Sequence, residues 1–523
     1  MKHGRESYYI LGEGLITGRL FPLGLLRWIF SLFYRDNPIN PSGENYAPPP
    51  HECDDDDDVP TPTRRFCRLF DKGHQPDGVG LVDLGQLMET ETGDPEDNRD
   101  SNIPAGYTYF GQFVDHDITL DRTPLSQTGM VNPEELGNFR TPSLDLDSVY
   151  LDGPQANPEL YESDGKSFKI GNTSDVEGLG VFPNDLPRQN VRAIIGDGRN
   201  DENLIVGQTH LLFLKFHNKL VADNPGMGFD GIRRMAVERY QAIVLTDFLP
   251  RVIDEAVLND VIQNGRQFYT EDKKGCMPVE FSVAAYRMGH SMVRPSYEWN
   301  RIFSTGGTRD IATLKDIFEF SGVSGTRGVG DPPFFGLPTL PSNWIADWRR
   351  MYNLEEAGGT THPDMNFARK LDARLAMDLK TLPEFEQMNP QPPAPLLSLA
   401  TRNLLRGRLV SLPTGQEIAN AMGISPLTPD QIVENLALDQ TATVTDNGFD
   451  TSTPLWYYVL REAMVQANGE RLGVVGSRIV AETFVGLIEA SPVNILQGNP
   501  GLTFSMPELV VSLPDDDVNP LGD

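Results

Sequence analysis

Between residues 201 and 223 the apolar side chains Ile205, Leu212, Phe213, Phe216 and Leu220 recur at the spacing of one face of an α-helix, not at the two-residue alternation of a strand. Asp201 stands where its carboxylate would cap the first turn. The same period predicts helices over 231–257, 279–293, 396–405 and 477–490, separated by Pro- and Gly-rich connections such as 328–341 and 389–395. From about Arg64 onward no unit repeats at a period of ~20–50 residues, and no strand-like alternation is sustained. The expected class is therefore mainly α, a single large helical domain with little β structure. The 523 residues, 39% of them hydrophobic, suffice to bury a large core.

The first 63 residues differ from the rest. Residues 8–34 are rich in Leu, Ile, Phe and Trp, but Glu13, Arg19 and Arg27 interrupt them before a run of ~20 apolar residues can form, so no membrane span is expected. No standard secretory signal is legible either, and the compartment is left open. This segment is expected to pack on the main domain or, as an interfacial helix, to make peripheral membrane contact. Residues 37–63 read as a linker, since Pro48 to Pro50 and the acidic run Asp54 to Asp58 offer no periodic apolar face. The expected division is an extension and linker at 1–63, a catalytic domain at 64–510 and an acidic tail at 511–523.

Forty-four Lys and Arg stand against 74 Asp and Glu, a formal charge of -30 that repels phosphate backbones. Nucleic acid is not expected as a partner. The excess acid is either a solvated surface or is partly neutralised by divalent cations. Cys53, Cys67 and Cys276 are too few for a disulfide framework. Cys53 and Cys67 either pair around a short loop or remain free thiols, and no CxxC or CxxCH motif is present.

The most informative segment runs from Ile103 to Leu120. On a helix at about 100° per residue, Gln112, Asp115 and His116 fall within one arc of roughly 100°, while Asp117 points to the other side. Taken alone, Asp-His-Asp fits a surface charge cluster or part of a zinc hydrolase site equally.

Gly111-Gln112-Phe113-Val114-Asp115-His116-Asp117 closely resembles the distal motif GQxxDHD of the animal-type haem peroxidases, the peroxidase-cyclooxygenase superfamily that includes myeloperoxidase and lactoperoxidase. The flanking Pro-Ala-Gly-Tyr-Thr-Tyr-Phe looks more like the bacterial branch. The resemblance implies haem b, with His116 as the distal base, Gln112 lining the peroxide pocket, Asp115 esterifying a haem methyl and Asp117 binding calcium. Peroxide must lose a proton from one oxygen and gain one on the other, which a histidine titrating near neutrality can shuttle.

Four further segments resemble the family in the family's order. Gly196-Asp-Gly-Arg-Asn-Asp-Glu202 implies Arg199 as the distal cation, stabilising charge as the O–O bond breaks, and Glu202 as a second ester carboxylate. Asn203 follows, where myeloperoxidase carries a methionine, so at most two ester links are implied. In the loop 141–150, Thr141, Ser143, Asp145 and Asp147 array oxygens at alternate positions suited, with Asp117, to calcium. The family usually has serine where Asp147 stands. Arg287-Met-Gly-His290 resembles the proximal motif, implying His290 as the iron ligand and Arg287 as a haem-propionate partner. Asn403-Leu-Leu-Arg-Gly-Arg408 implies Asn403 as the residue orienting His290 and Arg406 as a second propionate partner.

The function so implied is a haem peroxidase that reduces hydrogen peroxide and oxidises a halide, thiocyanate or small aromatic donor. Two alternatives stand beside it. A fatty-acid dioxygenase of the same superfamily needs a tyrosine three positions before the proximal histidine, where this chain has Arg287, with Tyr286 one residue earlier. A non-catalytic adhesion or matrix protein would keep the fold and lose the site, yet every matched catalytic residue type is present.

Overall fold

The computed structural model describes residues 64–74, 78–89, 99–121, 131–273, 275–325, 333–382 and 394–523, with backbone alone at 7–9 and 15–17. Seven helices frame the site: α1 (Gly78–Met88), α2 (Gly106–Ile118), α3 (Leu204–Asp223), α4 (Phe229–Ala242), α5 (Leu399–Leu409), α6 (Leu455–Ala467) and α7 (Val474–Ala490). The described strands are short ribbons, the largest a three-stranded one in which Arg64–Cys67 lies between Gly137–Asn138, antiparallel, and Met277–Pro278, parallel. The mainly α expectation holds.

Aromatic packing holds α2 rigid. Phe113 stacks on Phe213 of α3 with ring centroids 4.6 Å apart, and Tyr240 of α4 meets both rings edge-on at 6.3 and 5.9 Å. Such pairs add about 0.5–1.5 kcal/mol each beyond the area they bury. At the start of α2 a Cβ on Gly106 would come within 2.4 Å of the Tyr352 ring, so only glycine allows this approach.

Several helix boundaries depart from the periodic reading. α3 begins at Leu204 and is capped by Asn203, whose side chain accepts from the Val206 amide. Asp201 does not cap it, because both its oxygens are held by the Arg188 guanidinium at 2.6 and 2.9 Å. The stretch 231–257 divides into α4, a π-helical turn Ile243–Phe248 and the short helix Leu249–Val252. The stretch 279–293 divides into a single α turn, Val279–Ser282, and a 3-10 turn, Ala285–His290. There Arg287 Nε takes the Ser282 carbonyl at 3.0 Å, an acceptor that a continuous helix would use for backbone.

The cysteine expectation is corrected: Cys67 is bonded to Cys276 across 209 residues, beside the parallel strand pair. The two residues are far apart in sequence and meet only through the fold. Cys53 and the linker 37–63 lie outside the described residues. In segment 8–34 the described backbone is an extended antiparallel pair, Ser7–Tyr9 with Leu15–Thr17, not helix. Among the described residues no helix is long and apolar enough to cross a membrane. Residues 511–523 pack back on the body: Leu513 and Val518 join the core, Lys215 pairs with Asp517, and Asp523 lies 2.6 Å from Arg349.

Candidate functional site: a cavity between α2 and the His290 turn

Helix α2 and the 3-10 turn Ala285–His290 face each other across a partly open cavity. Gln112 and Asp115 line one wall, and Arg287, Met288, Gly289 and His290 line the other. The remaining walls are largely apolar, with Phe248, Phe318, Leu314 and Leu379 among them.

On the His290 side, sequence-distant groups meet. Asn403 of α5 lies 2.7 Å from His290 Nδ1 through its amide nitrogen. Its amide oxygen accepts from Arg287, and Trp456 of α6 donates to the Arg287 carbonyl at 3.2 Å. One asparagine thus ties the ring to the turn that carries it; ligation through Nε2 needs the amide turned, so that Nδ1–H donates to the Asn403 oxygen. Arg406, one turn further along α5, lies 2.8 Å from Asp121.

On the α2 side, His116 is fully buried; Nδ1 is 2.8 Å from Asn200 Oδ1 and Nε2 is 3.4 Å from Glu202 Oε1. Gln112 donates to the same Glu202 oxygen at 2.6 Å and accepts from Asn203 at 3.0 Å. Asp115 accepts from Thr119 Oγ1 at 2.8 Å. The structure therefore brings Gln112, His116 and Glu202 together, with Asp115 one turn away along the wall.

Arg199, expected as the distal cation, is engaged by a carboxylate and by helix carbonyls. Its guanidinium donates to Asp197 at 2.8 Å and to the carbonyls of His116 and Thr119 at 2.9 and 2.7 Å. Those carbonyls close the last turn of α2, where the helix presents acceptors lacking intrahelical partners, and they hold the cation behind His116. Burial alone would raise the Asp197 carboxyl, but Arg140 and Arg199 beside it hold it well below the ordinary carboxylate range.

Asn200 belongs to the site although no sequence pattern marks it. It spans His116 and the buried His210, whose Nδ1 lies 2.9 Å from the Asn200 amide nitrogen. Burial lowers His210 to about 3, so this ring is neutral. The available signal is the one amide between Arg199 and Glu202, next to two helices each carrying a histidine.

On the opposite side of α2, Asp117 is enclosed by the loop 141–148. It accepts from the Leu146 and Ser148 amides at 3.1 and 3.2 Å and from Ser148 Oγ at 3.0 Å. Burial first, then the charges of Asp147 and Asp145, raise its carboxyl well above the usual value. Ser143 donates to Asp145 at 3.0 Å, whereas Asp147 accepts from the Thr141 amide at 2.8 Å and from Arg140 at 3.2 Å. The five expected calcium donors are thus neighbours, but among the described residues no group of three or more His, Cys, Asp or Glu has metal-holding geometry.

Known proteins resemble parts of this chain. Residues 121–341 match the animal haem peroxidase family, a span that takes in Arg199, Glu202 and His290 and begins after α2. A peroxidase-like protein of Margaritifera margaritifera is 25% identical over 260 residues, 36% of this chain and 31% of that protein. Thyroid peroxidase of Mus musculus is 23% identical over 185 residues, 31% of this chain and 20% of that protein. The matches span less than a third of these curated relatives. Among solved structures, peroxidase A of Dictyostelium discoideum is similar with a TM-score of 0.58 at 16% identity, covering 88% of this chain and 94% of that one. Fatty acid alpha-dioxygenase of Oryza sativa is similar with a TM-score of 0.55 at 13% identity, covering 86% and 79%. These two likenesses show the fold.

Proposed function

We propose that this chain, which belongs to the animal haem peroxidase family, reduces hydrogen peroxide with haem b and oxidises a halide, thiocyanate or small aromatic donor. The observation that carries the reading is His290 at the wall of a mostly apolar cavity with its Nδ1 2.7 Å from the Asn403 amide. Once Arg287 turns to a propionate, the Asn403 oxygen is released to accept from Nδ1–H, the contact that orients an imidazole for a metal through Nε2. The donor set suits haem: an imidazole on one wall, an amide and a carboxylate on the other, and apolar side chains between. When bound, haem supplies an iron that takes oxidising equivalents from peroxide.

His290 is the residue to ligate iron through Nε2. Asp115 and Glu202 offer carboxylates for ester attachment. Arg287 and Arg406 are the propionate partners, exchanging their present contacts with Asn403 and Asp121. His116 takes and returns a proton at Nε2, with Gln112 and Glu202 beside it to order the peroxide oxygens. Arg199 acts as a positioning residue, since it holds the last turn of α2 through the His116 carbonyl.

Calcium is a narrower part of the proposal. Its support is the crowding of Asp117, Asp145 and Asp147, whose mutual repulsion a divalent cation would relieve. Arg140 offsets part of that charge through its contact with Asp147.

The dioxygenase alternative is disfavoured by Arg287, which occupies the position three before His290. The haem-loaded chain is expected to oxidise a phenolic dye with peroxide and to consume no oxygen on linoleate. Oxygen uptake on linoleate without dye oxidation would overturn the peroxidase reading.

A further inference from the structure

Tyr107, Tyr109 and Tyr286 all line the cavity, but their hydroxyls end on different partners. Tyr286 donates to the Gly111 carbonyl at 3.1 Å and Tyr109 to the Tyr297 hydroxyl at 2.8 Å. Neither a carbonyl nor a phenol takes up a proton readily near neutrality. Tyr107 instead donates to a carboxylate: Asp247 presents its two oxygens at 2.8 and 2.7 Å.

Asp247 is built for that role. It also accepts from Arg251 Nε at 2.9 Å and from the Met506 amide at 2.8 Å, and the Arg251 guanidinium lies 4.6 Å over the Tyr107 ring. The Arg251 and Met506 contacts require it to accept, and the Arg251 charge favours its ionised form against the burial that raises its carboxyl above the usual value. Tyr107 is 1% exposed and Asp247 6%, so a buried carboxylate with its own cation is kept against one tyrosine of the cavity. Keeping such charges from water is costly unless they are paired. Asp247 is delivered by the π-helical turn Ile243–Phe248, a widening of the helix that recurs at functional sites, and Phe248 of the same turn lines the cavity. Burial and the adjacent Asp247 charge hold the Tyr107 phenol well above its usual range, so it does not ionise unaided.

We propose that Tyr107 is a redox-active residue of this site, losing one electron to the peroxide-oxidised cofactor as its phenolic proton passes to Asp247. This rests on the haem peroxidase reading. The Tyr107 O–H bond breaks, the electron reduces the cofactor and the proton bonds to an Asp247 oxygen, which leaves a neutral tyrosyl radical. A small aromatic donor then returns the electron, Asp247 returns the proton, and the donor releases its own proton to solvent. Peroxide is the terminal oxidant and ends as water, with two donors oxidised by one electron each.

The test is freeze-quenched electron paramagnetic resonance of the haem-loaded chain after peroxide, with haem uptake followed by absorbance. A tyrosyl signal is expected in the wild type and in Tyr109→Phe. It is expected to be lost in Tyr107→Phe and in Asp247→Asn, which keeps an acceptor oxygen but removes the proton site. An unchanged signal in Tyr107→Phe, or no tyrosyl signal in a haem-loaded chain that consumes peroxide, overturns this inference alone. A chain that takes up no haem overturns the haem reading and this inference with it.

Discussion

On one face of α2, His116 rests on Asn200 while Asp197 nearby lies between the guanidiniums of Arg140 and Arg199. On the other, Asp117 lies among Asp145 and Asp147 and is held by backbone amides and a serine hydroxyl. One Arg140 touches both regions, 2.7 Å from Asp197 and 3.2 Å from Asp147. The first region is closed by charges the chain itself supplies. The second gathers like charges that those groups balance only in part. Each carboxylate therefore stabilises the fold to a different degree, and the two regions respond differently to the same kind of substitution.

The largest effect is expected at Asp197. Asp197→Ala leaves two buried guanidiniums without their shared carboxylate and should cost about 3–5 kcal/mol, the range for breaking a buried ion pair from one side. Asp117→Asn in chelator keeps an acceptor oxygen and removes a repelled charge, so it should cost no more than about 1 kcal/mol. Urea unfolding of both variants checks the contrast, and equal losses would dissolve it.

Calcium sharpens the comparison next. An ion bound among Asp117, Asp145 and Asp147 should stabilise the wild type by about 2.7 kcal/mol at a concentration of 100 Kd, and Asp117→Asn should abolish the gain. The thermal midpoint with calcium and with chelator reads this directly; identical midpoints in the wild type would remove calcium from the account.

A smaller effect follows from pH. The Asp197 carboxyl titrates below its unfolded value of ~3.9, so its contribution is fully present above that pH and is lost as pH falls through the folded value. Between about pH 5 and 3 the wild type is expected to stay closer to its neutral stability than its acid content suggests. Asp197→Asn should show a flatter decline below about pH 3.9, measured by denaturant midpoints across that range.

What is legible in sequence is what a helix fixes locally. The turn of α2 alone puts Gln112, Asp115 and His116 on one side and Asp117 on the other, and that division survives in three dimensions. The pairing of Asn403 with His290 is reachable only through the family resemblance, since 113 residues separate them and no periodicity links them. The cap of α3 escapes the periodic reading because Asp201 is claimed by Arg188, a contact between loops that no helical pattern encodes. Arg199 lies away from its expected place for a related reason: its partners include carbonyls at the end of another helix. The Cys67–Cys276 bond and the π-helical turn at Asp247 likewise depend on packing, and the local sequence carries no sign of either.

The central claim is that His290, steadied by Asn403, holds haem against α2. Haem titration of the purified chain, followed by the Soret band, tests it most directly. The wild type is expected to give a saturable band near one haem per chain. His290→Ala should lose stable ligation, Asn403→Ala should weaken it by about 10–100-fold, and His116→Ala should keep it while reacting slowly with peroxide. A His290→Ala chain that binds haem with the wild-type spectrum and affinity would contradict the account.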